Sequence, residues 1–537
     1  MAPGLLHVTM EPRPGLLPAQ FHEWYNNEHG PTRLRLPHMF PNGFRYRATD
    51  GEKPTFLAVY DVTDMAHLQT PIYTDLRANR TPREGETIGQ VDVNRRFFDF
   101  VNEQRSEGFV EIEKLTDEEA EGQVLVAVEV DFKTGVDAAE AEREIIAWYV
   151  QEHVPMLAKV PGWLRSRVFK TPSTVEPVGQ VRIVTMHEFS KTNGLGGKEH
   201  KASMDTAWRT RVFDKYIGEK YRRMYELFYV FGPAPRELEA LRTLPVEKGF
   251  VSVDGKIKTT AGEGGFVDAY WTTPDGLEIP YRLEGSPSHH APTVALSNSL
   301  LTDLHMWDPL VEILKKERPD LRILRYDTRG RHDIPSPPVP ATLDIVADDL
   351  AGLLGALRIE KLHALVGVSM GGATTLKFAL KYPGKLDRYV ACDFNVASSD
   401  ANTAAWKERI AVAEGPEGIA KLAGITVERW FHPKTMTEKK DVAEWMVKMV
   451  GENNVRGFRY GCQALWGYDM KEEMKGCKVK GLLVVGDGDG RGALVKAMEG
   501  FKGGIGGSPE LRLVKDAGHL PMCEAPEGFW DAVRDFL

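Results

Sequence analysis

What this 537-residue chain has little of narrows its identity first. It carries four cysteines, Cys392, Cys462, Cys477 and Cys523, scattered without the close spacing that disulfide frameworks and metal sites use. Free thiols in a reducing compartment are expected. There is no basic excess: 68 lysines and arginines stand against 77 acidic residues, for a net charge of -9. With its cations dispersed, the chain is not expected to bind nucleic acid or an anionic membrane. No apolar run approaches the roughly 20 residues that cross a bilayer. The stretch MAPGLLHVTMEPRPG has no basic segment followed by an apolar core, so no secretory leader is expected and a cytoplasmic location is. Apolar residues make up 42% and charged residues 27%, ordinary proportions for globular protein with real cores. The length points to more than one folding unit.

What is present centres on Gly367-Val368-Ser369-Met370-Gly371. Leu362 to Val368 reads as a short buried strand and Gly372 to Tyr382 as the helix after it. A G-x-S-x-G at such a junction makes a sharp turn that lifts the serine hydroxyl above the sheet edge. A serine is a poor nucleophile near neutral pH without a base and a carboxylate to orient that base. In chain order these should follow as acid, then histidine. His519, in Asp516-Ala517-Gly518-His519-Leu520-Pro521, follows the last apolar strand and is the expected general base. For the acid, the strand Leu482–Val485 runs into Gly486-Asp487-Gly488-Asp489-Gly490. Asp489 is the expected triad acid, with Asp487 as the alternative. Acyl transfer also needs two backbone N–H groups at the oxyanion, expected from Met370 and from Leu300 in the loop after Thr293–Leu296.

The strands Thr293–Leu296, Leu321–Tyr326, Leu362–Val368, Tyr389–Cys392, Gly481–Val485 and Leu511–Lys515 alternate with helical stretches. This predicts a mostly parallel sheet covered on both faces, opened by a hairpin over 265–283. Residues 397–470, rich in tryptophan, are expected to form a helical lid. This half resembles the 3-oxoadipate enol-lactonases. The resemblance lies in L-S-N-S-L-x-T-D-L-H-M-W-D-P from Leu296, in R-Y-D-T-R-G (325–330), in G-V-S-M-G-G, and in the lid stretches 429–431 and 457–465. It implies an α/β-hydrolase over 263–537 that opens a lactone or carboxylic ester. Asn298, Trp307 and Trp430 are then candidates for substrate contact, and no metal or organic cofactor is needed. Two departures, Leu301 where the family usually has Gly and Arg331-His332-Asp333 in place of G-H-G-x-S, imply a substrate unlike the simple dicarboxylic enol-lactone.

The first 230 residues repeat themselves. Trp24-Tyr25-Asn26-Asn27-Glu28-His29 returns as Trp148-Tyr149-Val150-Gln151-Glu152-His153, an offset of 124 residues (148 minus 24). Flanking strands are expected at Leu5–Met10, 43–47, Thr55–Val62 and Arg96–Val101, and again at Val124–Phe132, 162–167, Val181–Phe189 and Tyr225–Phe231. Each copy is β-α-β-β-α-β, a ferredoxin-like order, with copies over 1–112 and 118–236 and a linker over 237–262. Two such sheets packed face to face would cover each other's open sides. With W-Y-x-x-E-H, G-F-R-Y and K-P-T-F-L-A-V-Y, this half resembles EthD-like members of the dimeric α/β-barrel superfamily. The fold class expected is therefore α+β followed by α/β. His29 and His153 have two readings: general bases at a barrel mouth, or residues that end a helix and complement its dipole. The barrel has three: a small-molecule-binding module, a second enzyme that cyclises, dehydrates or decarboxylates a small aromatic or polyketide-like compound, or a non-catalytic homo-oligomerisation module. A small-molecule substrate is the expected partner in each catalytic reading.

Overall fold

Strand alternation in the first half buries two different faces, and both need partners. In the computed structural model, which describes residues 3–172 and 182–537, the chain divides into two units, Met1–Pro235 and Arg236–Leu537. The first contains β1 (Gly4–Pro12), β2 (Phe44–Ala48), β3 (Phe56–Val62), β4 (Val91–Arg105), β5 (Val124–Phe132), β6 (Trp163–Lys170), β7 (Arg182–Phe189) and β8 (Ile217–Val230). The expected strand start at Val181 lies outside the described residues. All eight strands pair antiparallel in one closed barrel, in the order β1-β3-β2-β8-β5-β7-β6-β4.

The inner faces of the two halves meet in the barrel interior, as expected. The halves also join edge to edge, through β2 with β8 and β4 with β6, because closure satisfies every strand edge that stacking would leave bare. Leu5, Tyr46, Leu57, Phe98, Leu125, Phe169 and Tyr225 fill the interior. The alternate residues, among them Leu6, Val8, Ala58 and Tyr60, face outward and pack against helices.

The repeated W-Y-x-x-E-H does not end a helix in either copy. Pro18–Trp24 runs through a π-helical turn, Tyr25–His29, into Gly30–Leu34, and Ala138–Trp148 runs through Tyr149–His153 into Val154–Leu157. Proline inside a helix lacks an N–H and crowds the carbonyl four residues back. A widened turn just before Pro31 and Pro155 lets the chain continue past both, with Gly30 N–H reaching Tyr25 O and Val154 N–H reaching Tyr149 O. The histidines thus lie within the helical layer, and the helix-end reading does not hold.

The second unit holds a ten-stranded sheet: β9 (Phe250–Val251), β10 (Lys258–Thr260), β11 (Phe266–Thr272), β12 (Glu278–Gly285), β13 (Thr293–Ser297), β14 (Arg322–Tyr326), β15 (Ala364–Val368), β16 (Arg388–Cys392), β17 (Lys480–Gly486) and β18 (Glu510–Val514). Their order is β18-β17-β16-β15-β13-β14-β12-β11-β10-β9. The six from β13 to β18 are mutually parallel and the rest antiparallel. Residues 237–262, read as a linker, instead carry a helix (Glu239–Thr243) and two strands of this sheet. At two and three residues the strands are too short to stand out in sequence. Between β16 and β17 lie five helices, from Asp400–Glu414 to Val455–Cys462. Among the described residues no helix is long and apolar enough to cross a membrane, and all four cysteines are free and buried.

Candidate active site

Ser369 occupies the turn between β15 and the helix Met370–Lys381 with φ 59° and ψ -117°, a left-handed conformation that a residue with a Cβ holds only when its surroundings enforce it. The enforcement is visible. The Ser369 N–H donates to Cys392 O at 2.9 Å. A Cβ on Gly367 would lie 2.2 Å from Gly371 O, and one on Gly371 would lie 2.1 Å from Ser297 O. Both glycines are required because the helix packs directly on the neighbouring strand ends. Met370, the next residue, opens the helix, so its amide belongs to the positive end of the helix dipole.

A pocket of about 410 Å³ brings together Ser369, Met370, Leu300, His519, Asp489 and Trp430. Asp489 Oδ2 lies 2.7 Å from His519 Nδ1. The alternative acid, Asp487, is exposed and gives its N–H to Val514 O. Asp516 is also exposed and pairs with Lys434. The His519 backbone N–H donates to Trp430 O at 2.7 Å, and the two rings are 5.5 Å apart. Trp430 therefore both fixes the histidine's loop and lines the pocket.

Asn298 and Trp307 do not reach this pocket. Both are fully buried and bonded to each other, Trp307 Nε1–H to Asn298 Oδ1 at 2.9 Å, while Asn298 Nδ2 donates to Tyr326 O and Asp327 Oδ1. They brace the loop that carries Leu300. A contact to substrate would require unmaking that network.

Neither departure expected to flank the site lines this pocket: Leu301 and Arg331 are buried, and His332 and Asp333 are exposed. Leu301 takes φ 76°, which accounts for a preference for Gly there, and Asn453 holds its carbonyl at 2.7 Å. Arg331 pairs with Asp303 at 3.0 Å and His332 with Asp327 at 2.6 Å. Asp327 also accepts the Leu304 N–H, and Arg329 forms a fork with Asp349, in keeping with turn-stabilising roles.

Four residues of the site escaped the sequence reading. Asp393, just after β16, is buried at φ 46° and accepts the Gly486 N–H at 2.9 Å. Its ligand atoms, with those of Asp489 and His519, lie within 4.8 Å of one another, a set whose atom types could also hold a metal ion. Burial, followed by the neighbouring Asp489 charge, raises the Asp393 carboxyl well above its ordinary range. Arg409 and Arg429 line the pocket, and no carboxylate among the described residues pairs with either. Burial, reinforced by Arg409, lowers the Arg429 guanidinium to about 10. Two such cations mark the place where an anionic group would be welcome. No short motif announces them.

Glu524 is the fourth. Fully buried, it accepts N–H bonds from Gly518 (2.9 Å) and His432 (2.7 Å) and the Thr435 hydroxyl (2.9 Å). It thus ties the His519 loop to the lid helices. Glu524→Ala leaves those donors unsatisfied and is expected to cost about 3 kcal/mol in urea denaturation, with kcat falling more than KM rises as His519 loosens.

Residues 292–411 match the family described as the alpha/beta hydrolase fold. The chain is 29% identical over 267 residues to 3-oxoadipate enol-lactonase 1 of Acinetobacter baylyi, a match covering 50% of this chain and 95% of that protein. A second curated enzyme from the same organism, 3-oxoadipate enol-lactonase 2, is 24% identical over 243 residues, covering 45% of this chain and 87% of the relative. Among solved structures, the enol-lactonase from Burkholderia xenovorans is 31% identical, covering 50% of this chain and 98% of that one, with a TM-score of 0.45. On this family match and the two curated relatives, the C-terminal half of the chain is an α/β-hydrolase resembling the enol-lactonases.

Proposed function

We propose that the C-terminal unit is a serine hydrolase that opens a lactone or carboxylic ester of a small acid. One observation carries this reading: His519 and Asp489 are hydrogen-bonded at 2.7 Å in a pocket that Ser369 also lines. In the proposed reaction Ser369 Oγ attacks the carbonyl carbon as His519 Nε2 takes its proton, and Asp489 holds the imidazole in the tautomer this requires. The amides of Leu300 and Met370 receive the oxyanion. Collapse expels the enolate or alkoxide, which takes the proton back from His519; in a lactone this leaving group stays tethered to the acyl chain. Water, deprotonated by the same imidazole, then attacks the acyl-serine and frees the acid. Trapping a slow ester and finding the acyl group on Ser369 by mass spectrometry tests the covalent step.

The unpaired Arg409 and Arg429 support an anionic substrate, as the resemblance to enol-lactonases suggests. Arg409→Gln with Arg429→Gln is expected to raise KM for a carboxylate-bearing ester or lactone at least tenfold, while leaving hydrolysis of a neutral aryl ester within about twofold. Equal effects on both substrates would remove the charge argument.

For the N-terminal unit, the repeated β-α-β-β-α-β order supports a pair of ferredoxin-like, EthD-like repeats. Because the barrel closes within one chain, each strand already has two partners. This favours a ligand-binding role over pairing with another copy through strand edges.

A further inference from the structure

The two halves of the barrel unit have diverged at matching positions, and the divergence opens a cleft in one of them. The backbone fixes the correspondence. Leu6 pairs with Tyr60 as Val126 pairs with His187. Phe44 pairs with Val230 as Arg167 pairs with Glu103, which sets Phe231 against Gln104. The N-cap Thr81 receives the Glu84 N–H as the N-cap Thr206 receives the Arg209 N–H. Even the motif glutamates correspond, Thr81 donating to Glu28 and Thr206 to Glu152.

In the first half these positions are filled and neutralised. Phe231 stacks on Tyr60 at 5.7 Å and on Tyr25 at 5.8 Å. His29 is bonded to Glu84 at 2.6 Å. In the second half, Tyr60 becomes His187, Phe231 becomes Gln104 and the acid Glu84 becomes the cation Arg209. The rings that pack the first site are gone and its charge is inverted.

The result is a narrow cleft, open to solvent on one side and with about 30 Å³ of internal room, between the outer face of the barrel wall and the helices. Its walls are apolar, with Val126, Val128, Phe189 and Phe213 among them. Three cations, Arg209, Lys220 and Arg222, also line it, and no carboxylate among the described residues pairs with any of them. Lys220 is lowered by burial and by the other two.

Two buried imidazoles complete the lining, their centroids 5.8 Å apart. His153 Nδ1 donates to Ser203 O at 3.1 Å, which leaves its Nε2 as an acceptor. Burial holds His153 down at about 4, so this ring is neutral near pH 7. His187 Nδ1 is engaged by Ser166 Oγ at 2.8 Å, and Ser166 in turn accepts Trp163 Nε1–H. The other nitrogen of His187, Nε2, is buried with no partner, although the residue is only 3% exposed. A buried polar atom left open in the lining of a cleft is costly unless something fills it.

We infer that this second-repeat cleft is a binding site for a small, planar, cyclic carboxylate. The ring lies against the valine and phenylalanine walls, the acid group meets Arg209, Lys220 and Arg222, and a ring hydroxyl or carbonyl completes His187 Nε2. The matching site in the first repeat is closed by Tyr60 and Phe231. This inference is independent of the hydrolase chemistry.

The test uses the full chain carrying Arg409→Gln and Arg429→Gln, which removes the competing cations of the hydrolase pocket. Salicylate, titrated by calorimetry, is expected to bind with one site per chain and at least tenfold more tightly than neutral benzamide. Adding Lys220→Gln, at the solvent side of the cleft, or Arg209→Gln is expected to weaken salicylate at least tenfold. His187→Phe, which restores an aromatic ring at the position of Tyr60, is expected to abolish binding. Absence of saturable binding would overturn the inference. So would benzamide binding as tightly as salicylate, or affinity indifferent to all three substitutions.

Discussion

Ser369→Ala is expected to lower kcat/KM for aryl esters and γ-lactones by about 10⁴-fold or more, equivalent to some 5.5 kcal/mol of transition-state stabilisation. The size of the loss follows from the chemistry. Without the hydroxyl no acyl-enzyme forms, and what survives is binding plus oxyanion stabilisation of direct attack by water. The fold should tolerate the change. Alanine keeps the Cβ already accommodated at φ 59°, and the Ser369 N–H to Cys392 O bond is a backbone contact. Substrate affinity should therefore persist while turnover vanishes, and a binding titration beside the rate measurement separates the two. A variant that turns over as fast as the parent would dismiss the serine mechanism, and with it the roles given to His519 and Asp489.

What was legible in sequence and what was not divides along physical lines. Strand and helix periodicities in the second unit are local signals, so β11 to β18 were read to within a few residues of their observed bounds. Gly367 and Gly371 were legible because only a backbone pressed against its neighbours demands glycine there. The edge pairing that closes the barrel was not. It depends on which strand edges meet, Phe44 with Val230 and Arg105 with Arg165, and edge pairing between residues some 60 to 190 apart leaves no periodic trace. The π-helical turns were hidden for a related reason, since Pro31 and Pro155 read as helix stops unless a widened turn precedes them. Asn298 and Trp307 are candidates for substrate contact only through the resemblance of their loop to the enol-lactonases, whereas here each satisfies the other. Asp393, Arg409, Arg429 and Glu524 stand in no motif. Each matters through its burial or through the partner it has or lacks, which are properties of the fold.

The two carboxylates beside His519 should behave in opposite ways, and this is the sharpest check on the site. Asp489→Asn keeps the shape but offers the imidazole an amide in place of a carboxylate. The imidazole can then settle into the wrong tautomer, and the positive charge it gains in the transition state goes unstabilised. A loss of about 10⁴-fold in kcat is expected, while Asp487→Asn, on an exposed turn, should cost less than about threefold. For Asp393 the prediction concerns stability. Burial and the adjacent Asp489 raise its carboxyl well above the ordinary range, so between the unfolded and the folded value the folded chain holds a proton that the unfolded chain has released. Such a group favours folding fully below the unfolded value of about 4. That contribution is lost steadily as pH rises toward the folded value, by up to about 1.4 kcal/mol per pH unit. Asparagine cannot lose a proton, so Asp393→Asn should match the parent's stability near pH 4 and exceed it by a growing margin toward pH 7. Activity at neutral pH should stay within an order of magnitude, because a neutral side chain still stands beside Asp489. Urea denaturation of both proteins across pH 4 to 8 reads the difference. A margin that stays flat with pH would mean that Asp393 is ionised in the fold, with two unscreened carboxylates sharing one buried site.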